Sequence, residues 1–205
     1  MPDLRWRLGA ALLLVLASAS WSGAAEPVIG GPCEGCELVF EGMPETIASR
    51  ARVAPPDEPG QPLAIEGTVT DRDGRPAPGV LVYAYHTDVS GSYPRAATRH
   101  GRLRGWARTD EAGRYRFDTI RPGAYPGRSA PQHVHMHVIE PGVGTYWIAD
   151  LVFTDDPLLA AGQRRPTGRE RGGSGIATPA SDGAGGWRVR RDIRLGAGVP
   201  GYGER

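Results

Sequence analysis

Short apolar runs of alternating character, each closed by glycine or proline, set the pattern of this chain. Leu63-Ala64-Ile65-Glu66-Gly67-Thr68-Val69-Thr70 predicts a strand, and Asp73-Gly74 just after it is the strongest short-range hairpin signal present. Val80 to His86 predicts the next strand. After a loop carrying Tyr93, His100 and several arginines, Gly105-Trp106-Ala107-Arg108-Thr109 turns at Ala112-Gly113. It returns through Tyr115-Arg116-Phe117, a hairpin that Pro122-Gly123 ends. A histidine-bearing strand follows from Pro131 to Val138, then Tyr146 to Phe153, which Asp155-Asp156-Pro157 breaks. Residues 161–186 read as a long polar loop, and Trp187, Val189, Ile193 and Leu195 as a final strand. The pattern predicts an all-β protein, a β-sandwich of about seven or more short, mostly antiparallel strands with long loops and few helices. The sandwich domain is placed at 62–205. Residues 26–61, rich in Pro, Gly and Glu, read as an arm laid over it, with Leu38-Val39-Phe40 able to dock on the core.

Composition narrows the chemistry. The 205 residues suffice for one domain with a real core, and the 30 Gly and 19 Pro punctuate apolar runs instead of forming repeats. All 24 basic residues are Arg, which excludes Schiff-base and other lysine chemistry. A formal charge of +1 gives no reason to expect a nucleic acid or an anionic membrane as partner.

Arg5 and Arg7 precede the apolar run from Leu8 to Ala19, and Ser22, Gly23, Ala24 and Ala25 follow it, the layout of a secretory signal over residues 1–25. The expected location is periplasmic or extracellular. No later run is long enough for a transmembrane helix, so no membrane association is expected once the signal is removed. Cys33 and Cys36 form the sole C-x-x-C, for which an oxidising compartment makes a small local disulfide the default; a metal clip would need partners that the sequence does not show.

The candidate chemistry lies in Pro131-Gln132-His133-Val134-His135-Met136-His137-Val138, where strand alternation puts three histidines on one face. One strand histidine is ordinarily a half-buried residue bonded to a neighbour. Several together on one face point to a metal, because burying uncoordinated imidazoles costs polar desolvation. Imidazole alone would suit zinc or copper. Tyr93, in Gly91-Ser92-Tyr93, and Tyr125, in Pro122-Gly123-Ala124-Tyr125-Pro126, add phenolate oxygen and shift the choice toward Fe(III), beside which a phenol ionises near neutrality.

With these residues in hand, the chain resembles the intradiol ring-cleaving dioxygenases, the catechol 1,2- and protocatechuate 3,4-dioxygenase family, especially its secreted members. The resemblance covers roughly Leu63 to Pro157 and rests on Asp110-Glu111-Ala112-Gly113-Arg114-Tyr115-Arg116-Phe117, on Thr119 to Pro126, and on Pro131-Gln132-His133-Val134-His135. It implies Fe(III) held by Tyr93, Tyr125, His133 and His135. Tyr125 is implied as the ligand that leaves when substrate binds and takes its proton. A catechol-type small molecule and O2 are the implied substrates, with a muconate-type diacid as product and no organic cofactor. His137 falls outside the implied ligand set, although the residues alone leave His135 and His137 open as the pair. Where the family commonly carries Arg three residues before the first ligand histidine this chain has Ala130, with Arg128 the candidate substitute in a catalytic role, and Asp150 stands where better-known members have Gln. Two other readings fit parts of the pattern: a non-catalytic transthyretin-like or adhesin-like sandwich module, and a His-rich zinc or copper protein drawing on His100 or His86. No Gly-x-Ser-x-Gly is present to support a hydrolase.

Overall fold

The computed structural model describes residues 27–33, 35–127 and 130–203. The signal-like segment 1–25 and Arg128 lie outside the described residues. Among the described residues, eleven strands form two sheets, accompanied by two short 3-10 helices. One sheet runs β1 (Arg50–Arg52), β5 (Arg114–Ile120), β2 (Pro62–Thr70), β10 (Trp187–Arg190) and β9 (Ala180–Ser181), with β11 (Ile193–Arg194) also paired to β2. The other runs β4 (Arg104–Arg108), β3 (Leu81–Tyr85), β6 (His133–Glu140), β7 (Gly144–Phe153) and β8 (Ile176–Ala177). The β-sandwich is as expected. Its longest pairings are antiparallel, while β1, β8 and β11 join their neighbours in parallel and β10 runs parallel to β2 but antiparallel to β9.

Strict alternation in β2 turns Leu63, Ile65 and Val69 into the space between the sheets, where they meet Phe117, Val82, Met136, Val138 and Ile148. The histidine strand, β6, is buried on both faces. Its outer face belongs to a second apolar cluster in which Leu81, Tyr83, Trp106 and Ile139 are covered by Val39 and Ile47 of the arm. A 3-10 helix, Cys36–Phe40, carries Val39 there, and the Trp106 indole N–H donates to the Val39 carbonyl at 2.8 Å. The docking of Leu38-Val39-Phe40 is thus observed, and the arm also supplies β1 to the first sheet.

Two expected hairpins do not form. Asp71 accepts from the N–H groups of Asp73 and Arg75 and shapes the turn at Gly74, but the strands on either side separate: β2 enters one sheet and β3 the other. Pro76 and Pro78 remove donors that a continued ladder would need. Likewise β4 and β5 part across the Asp110 turn, because Thr109 is tied back to Ala77 and to Val80, the residue before β3, while Gly113 is bonded to Val69 of β2. The expected final strand is split into β10 and β11 at Arg191. That side chain is buried and turned inward, donating to the carbonyls of Gly172, Asp192 and Ala149, while its own carbonyl accepts from the Tyr115 hydroxyl. The polar stretch 161–186 contains a 3-10 turn, Ala161–Arg164, and the short strands β8 and β9. Among the described residues no helix is long and apolar enough to cross a membrane.

Candidate metal centre

Two loops and one strand converge at the open end of the second sheet. The first loop leaves β3 and is organised by the Asp88 carboxylate, which accepts from the N–H groups of Ser90 and Ser92 just ahead of Tyr93. The second is the turn after β5 that carries Tyr125. They pack backbone against backbone. Gly91, at φ 82°, would place a Cβ 1.8 Å from the Ala124 carbonyl oxygen, and a Cβ on Gly123 would fall 2.4 Å from that of Val89. Glycine at both positions is therefore a condition for bringing the two tyrosines together.

Their hydroxyls meet at 2.7 Å. The Tyr125 oxygen lies 3.1 Å from His133 Nε2 and 3.2 Å from His135 Nε2, and those two nitrogens are 3.2 Å apart. Each imidazole is held from behind. His133 Nδ1 donates to the Pro131 carbonyl at 2.7 Å, and His135 Nδ1 to the Asp150 carboxylate at 3.0 Å. With both Nδ1 atoms acting as donors, both Nε2 atoms present lone pairs, and one phenol proton can satisfy only one of them. A cation among the four atoms removes that conflict, so the donor set fits a metal on this structure's own geometry. Two phenol oxygens and two imidazoles suit a hard, oxidised ion such as Fe(III). Burial, and then the hydrogen bond with Tyr125, push the Tyr93 phenol above its ordinary ionisation range, so a cation is what would make it an anionic ligand.

Asp150 reaches His135 through an irregularity in the ladder. Val134 pairs with Leu151 but Met136 with Ile148, so Ala149 and Asp150 together oppose His135. Such a bulge re-aims a side chain that regular alternation would send to the other face.

The five histidines divide clearly. His86 is buried elsewhere, with Nε2 2.6 Å from Thr119 Oγ1 and Nδ1 2.7 Å from the Thr87 carbonyl. His100 bonds the Tyr83 hydroxyl through Nδ1 at 2.8 Å and stacks on Tyr85 with ring centroids 3.8 Å apart. His137 points to Cys33, whose sulfur lies 3.8 Å from its Nε2. Cys33 and Cys36 form the expected disulfide. The four residues Tyr93, Tyr125, His133 and His135 thus come together, and His86, His100 and His137 stand outside that donor set.

The centre opens into a cleft of about 640 Å³. Tyr85, Tyr93, Tyr125, His135 and Asp150 form its metal end. Pro32, Gly35 and Leu38 of the arm, with Arg99, His100, His137 and Trp147, form the rest. Sequence reasoning missed this outer wall, because its parts lie more than 100 residues apart and share no motif.

An all-β sandwich with a two-tyrosine, two-histidine centre at one end defines the class of protein. The family model described as "Dioxygenase" matches residues 43–167, a span that contains all four donors and Asp150 but neither cysteine. The chain is 32% identical over 113 residues to a protocatechuate 3,4-dioxygenase beta chain of Burkholderia cepacia, covering 49% of this chain and 48% of that protein. It is 39% identical over 85 residues to a catechol 1,2-dioxygenase of Acinetobacter lwoffii, covering 38% and 27%. The chain thus spans under half the length of these two relatives. Among solved structures, the dioxygenase domain of a dioxygenase carbohydrate-binding protein fusion from Streptomyces sp. SirexAA-E superposes with a TM-score of 0.57 at 24% identity, over 73% of this chain and 89% of that one, and shares the fold. The chain belongs to the intradiol dioxygenase family.

Proposed function

We propose that the protein is a non-haem Fe(III) dioxygenase that opens a catechol-type ring between its two hydroxyl-bearing carbons. Both atoms of O2 enter the product, a muconate-type diacid. The observation that carries this reading is the convergence of Tyr93, Tyr125, His133 and His135 on one point, with both imidazoles oriented as lone-pair donors. Family membership supports it, and the relatives named for catechol, protocatechuate and hydroxyquinol all point to a ring with adjacent hydroxyls.

Bound there, Fe(III) supplies Lewis acidity toward the two substrate oxygens and activates the ring toward O2. The chain's own groups do the rest. His133 and His135 would bind through Nε2, because the Pro131 carbonyl and the Asp150 carboxylate engage their Nδ1 atoms from behind. Tyr93 is the fixed anionic ligand. Tyr125, with its oxygen next to Tyr93 and both imidazoles, would give way to the arriving catechol and take its first proton. Arg128 is assigned the positive charge near the ring that Ala130 cannot supply. The cleft beyond His135, walled by Tyr85, Trp147 and the arm, is where the rest of the substrate would lie. Residues 1–25 are read as a secretory signal, which makes the protein periplasmic or extracellular, and the Cys33–Cys36 disulfide supports that location.

The test is direct. The iron-loaded full chain should be red-brown from phenolate-to-Fe(III) charge transfer and should take up O2 with at least one of catechol, protocatechuate and hydroxyquinol. A colourless protein that binds no iron would return the reading to a non-catalytic sandwich module. A coloured protein that consumes no O2 with any of the three would remove the catalytic assignment.

A further inference from the structure

The arm meets the second sheet where Cys33, Cys36 and His137 place their Sγ and ring nitrogen atoms within 4.8 Å of one another. His137 is 3% exposed, its Nδ1 has no hydrogen-bond partner, and its Nε2 faces the Cys33 sulfur at 3.8 Å. A buried imidazole with no partner at one nitrogen and only sulfur at the other is costly, and such groups ordinarily have a use. A second imidazole faces the same loop: a Cβ on Gly35, between the two cysteines, would lie 2.5 Å from His100 Nε2. His100 Nδ1 is engaged by the Tyr83 hydroxyl, which leaves Nε2 aimed at that loop.

We propose that Cys33, Cys36, His137 and His100 form a second metal site, for a thiophilic ion such as Zn2+, that becomes available when the disulfide is reduced. Two thiolates and two imidazoles are a donor set that zinc takes readily in tetrahedral sites. A dithiol reductant passes two electrons and two protons to the disulfide and is itself oxidised to a disulfide. Zn2+ then displaces both thiol protons to water as the two Zn–S bonds form. The ion has a path in, because Gly35, His100 and His137 line the open cleft. This site shares no ligand with the proposed iron centre, and both cysteines lie outside the family-matched span 43–167.

The experiment uses the full chain, reduced with a phosphine under exclusion of air and titrated with Co2+ as a spectroscopic stand-in for Zn2+. A thiolate-to-Co(II) charge-transfer band should grow to one equivalent, vanish on addition of Zn2+, and be missing from the oxidised protein. Co2+ held by Tyr93, Tyr125, His133 and His135 has no sulfur ligand and cannot produce that band, so failure of the iron reading leaves this result interpretable. His137→Ala should weaken Co2+ binding at least tenfold. His100 is also buried, so the second variant there is the milder His100→Gln, which keeps a hydrogen-bonding side chain and should also weaken binding. No sulfur band in the reduced wild type, or unchanged affinity in both variants, overturns the proposal.

Discussion

His133 and His135 are each held from behind by a group outside the four donors, and single substitutions can separate the roles. Asp150→Asn keeps the size of the side chain but replaces the carboxylate behind His135 Nδ1, so iron affinity should fall about 10- to 100-fold while the visible band survives at saturating iron. Metal analysis together with the spectrum checks this; unchanged affinity would make the Asp150 contact incidental. Tyr93→Phe removes an anionic ligand while leaving the Tyr93 ring volume nearly intact, so affinity should fall at least about tenfold and the band should weaken or shift, since each phenolate contributes to it. A full iron complement with an unaltered spectrum would end the Tyr93 assignment. The donors were legible in the sequence because His133-Val134-His135 obeys strand alternation, and because the glycine-flanked turns of Tyr93 and Tyr125 carry a family pattern. Asp150 was visible only as a substitution. Its contact depends on a bulge that puts two residues of β7 opposite one of β6, and no local spacing announces such a bulge.

Elements were legible to within a residue or two wherever one face is buried, as in β2, whose alternation survives intact in the structure. Pairing was not. The Asp73-Gly74 and Ala112-Gly113 signals correctly mark tight turns, but hydrophobic alternation reports which face is buried, not which sheet receives the strand. Both turns hand the chain from one layer to the other. The arm shows the opposite case: with little periodicity it still carries Val39, fully buried against Tyr83 and Trp106, and so seals the outer face of the histidine sheet. Val39→Ala deletes two buried methyl groups beneath the helix and leaves a cavity, for a loss of about 2 kcal/mol. Urea unfolding should register that loss, and limited proteolysis should cut faster within 41–48, which the helix ties down. A variant as stable and as resistant as wild type would mean that Val39 adds little and that the arm is held by the Trp106 bond, by Ile47 and by the pairing of β1 with β5.

At the scale of the whole molecule, the two sheets are joined by polar contacts as well as by the apolar layer between them. His86, at the end of β3, reaches across to Thr119 of β5 with Nε2 at 2.6 Å, and its Nδ1 donates to the Thr87 carbonyl. Burial is the main reason that its pKa falls to about 4; the Thr87 carbonyl, Glu58 and Asp88 pull the other way, and His135 adds to the lowering. The unfolded chain, with an ordinary histidine pKa near 6.5, therefore binds a proton before the folded one does. Stability from this group is full above about pH 6.5 and is lost as the pH falls toward 4. At about 1.4 kcal/mol per pH unit the loss reaches roughly 3 kcal/mol at the lower limit. His100 and His137 are also held neutral mainly by burial, at about 4 and about 3, so acid sensitivity is shared among three buried imidazoles. His86→Gln can keep a hydrogen bond to Thr119 but carries no titrating group. Its urea-unfolding free energy should therefore decline less steeply between pH 6.5 and 4 than that of the wild type, with part of the slope remaining from the other two. Parallel curves for the two proteins across that window would show that the clasp between the sheets takes no part in acid unfolding, and that the loss begins at the cleft.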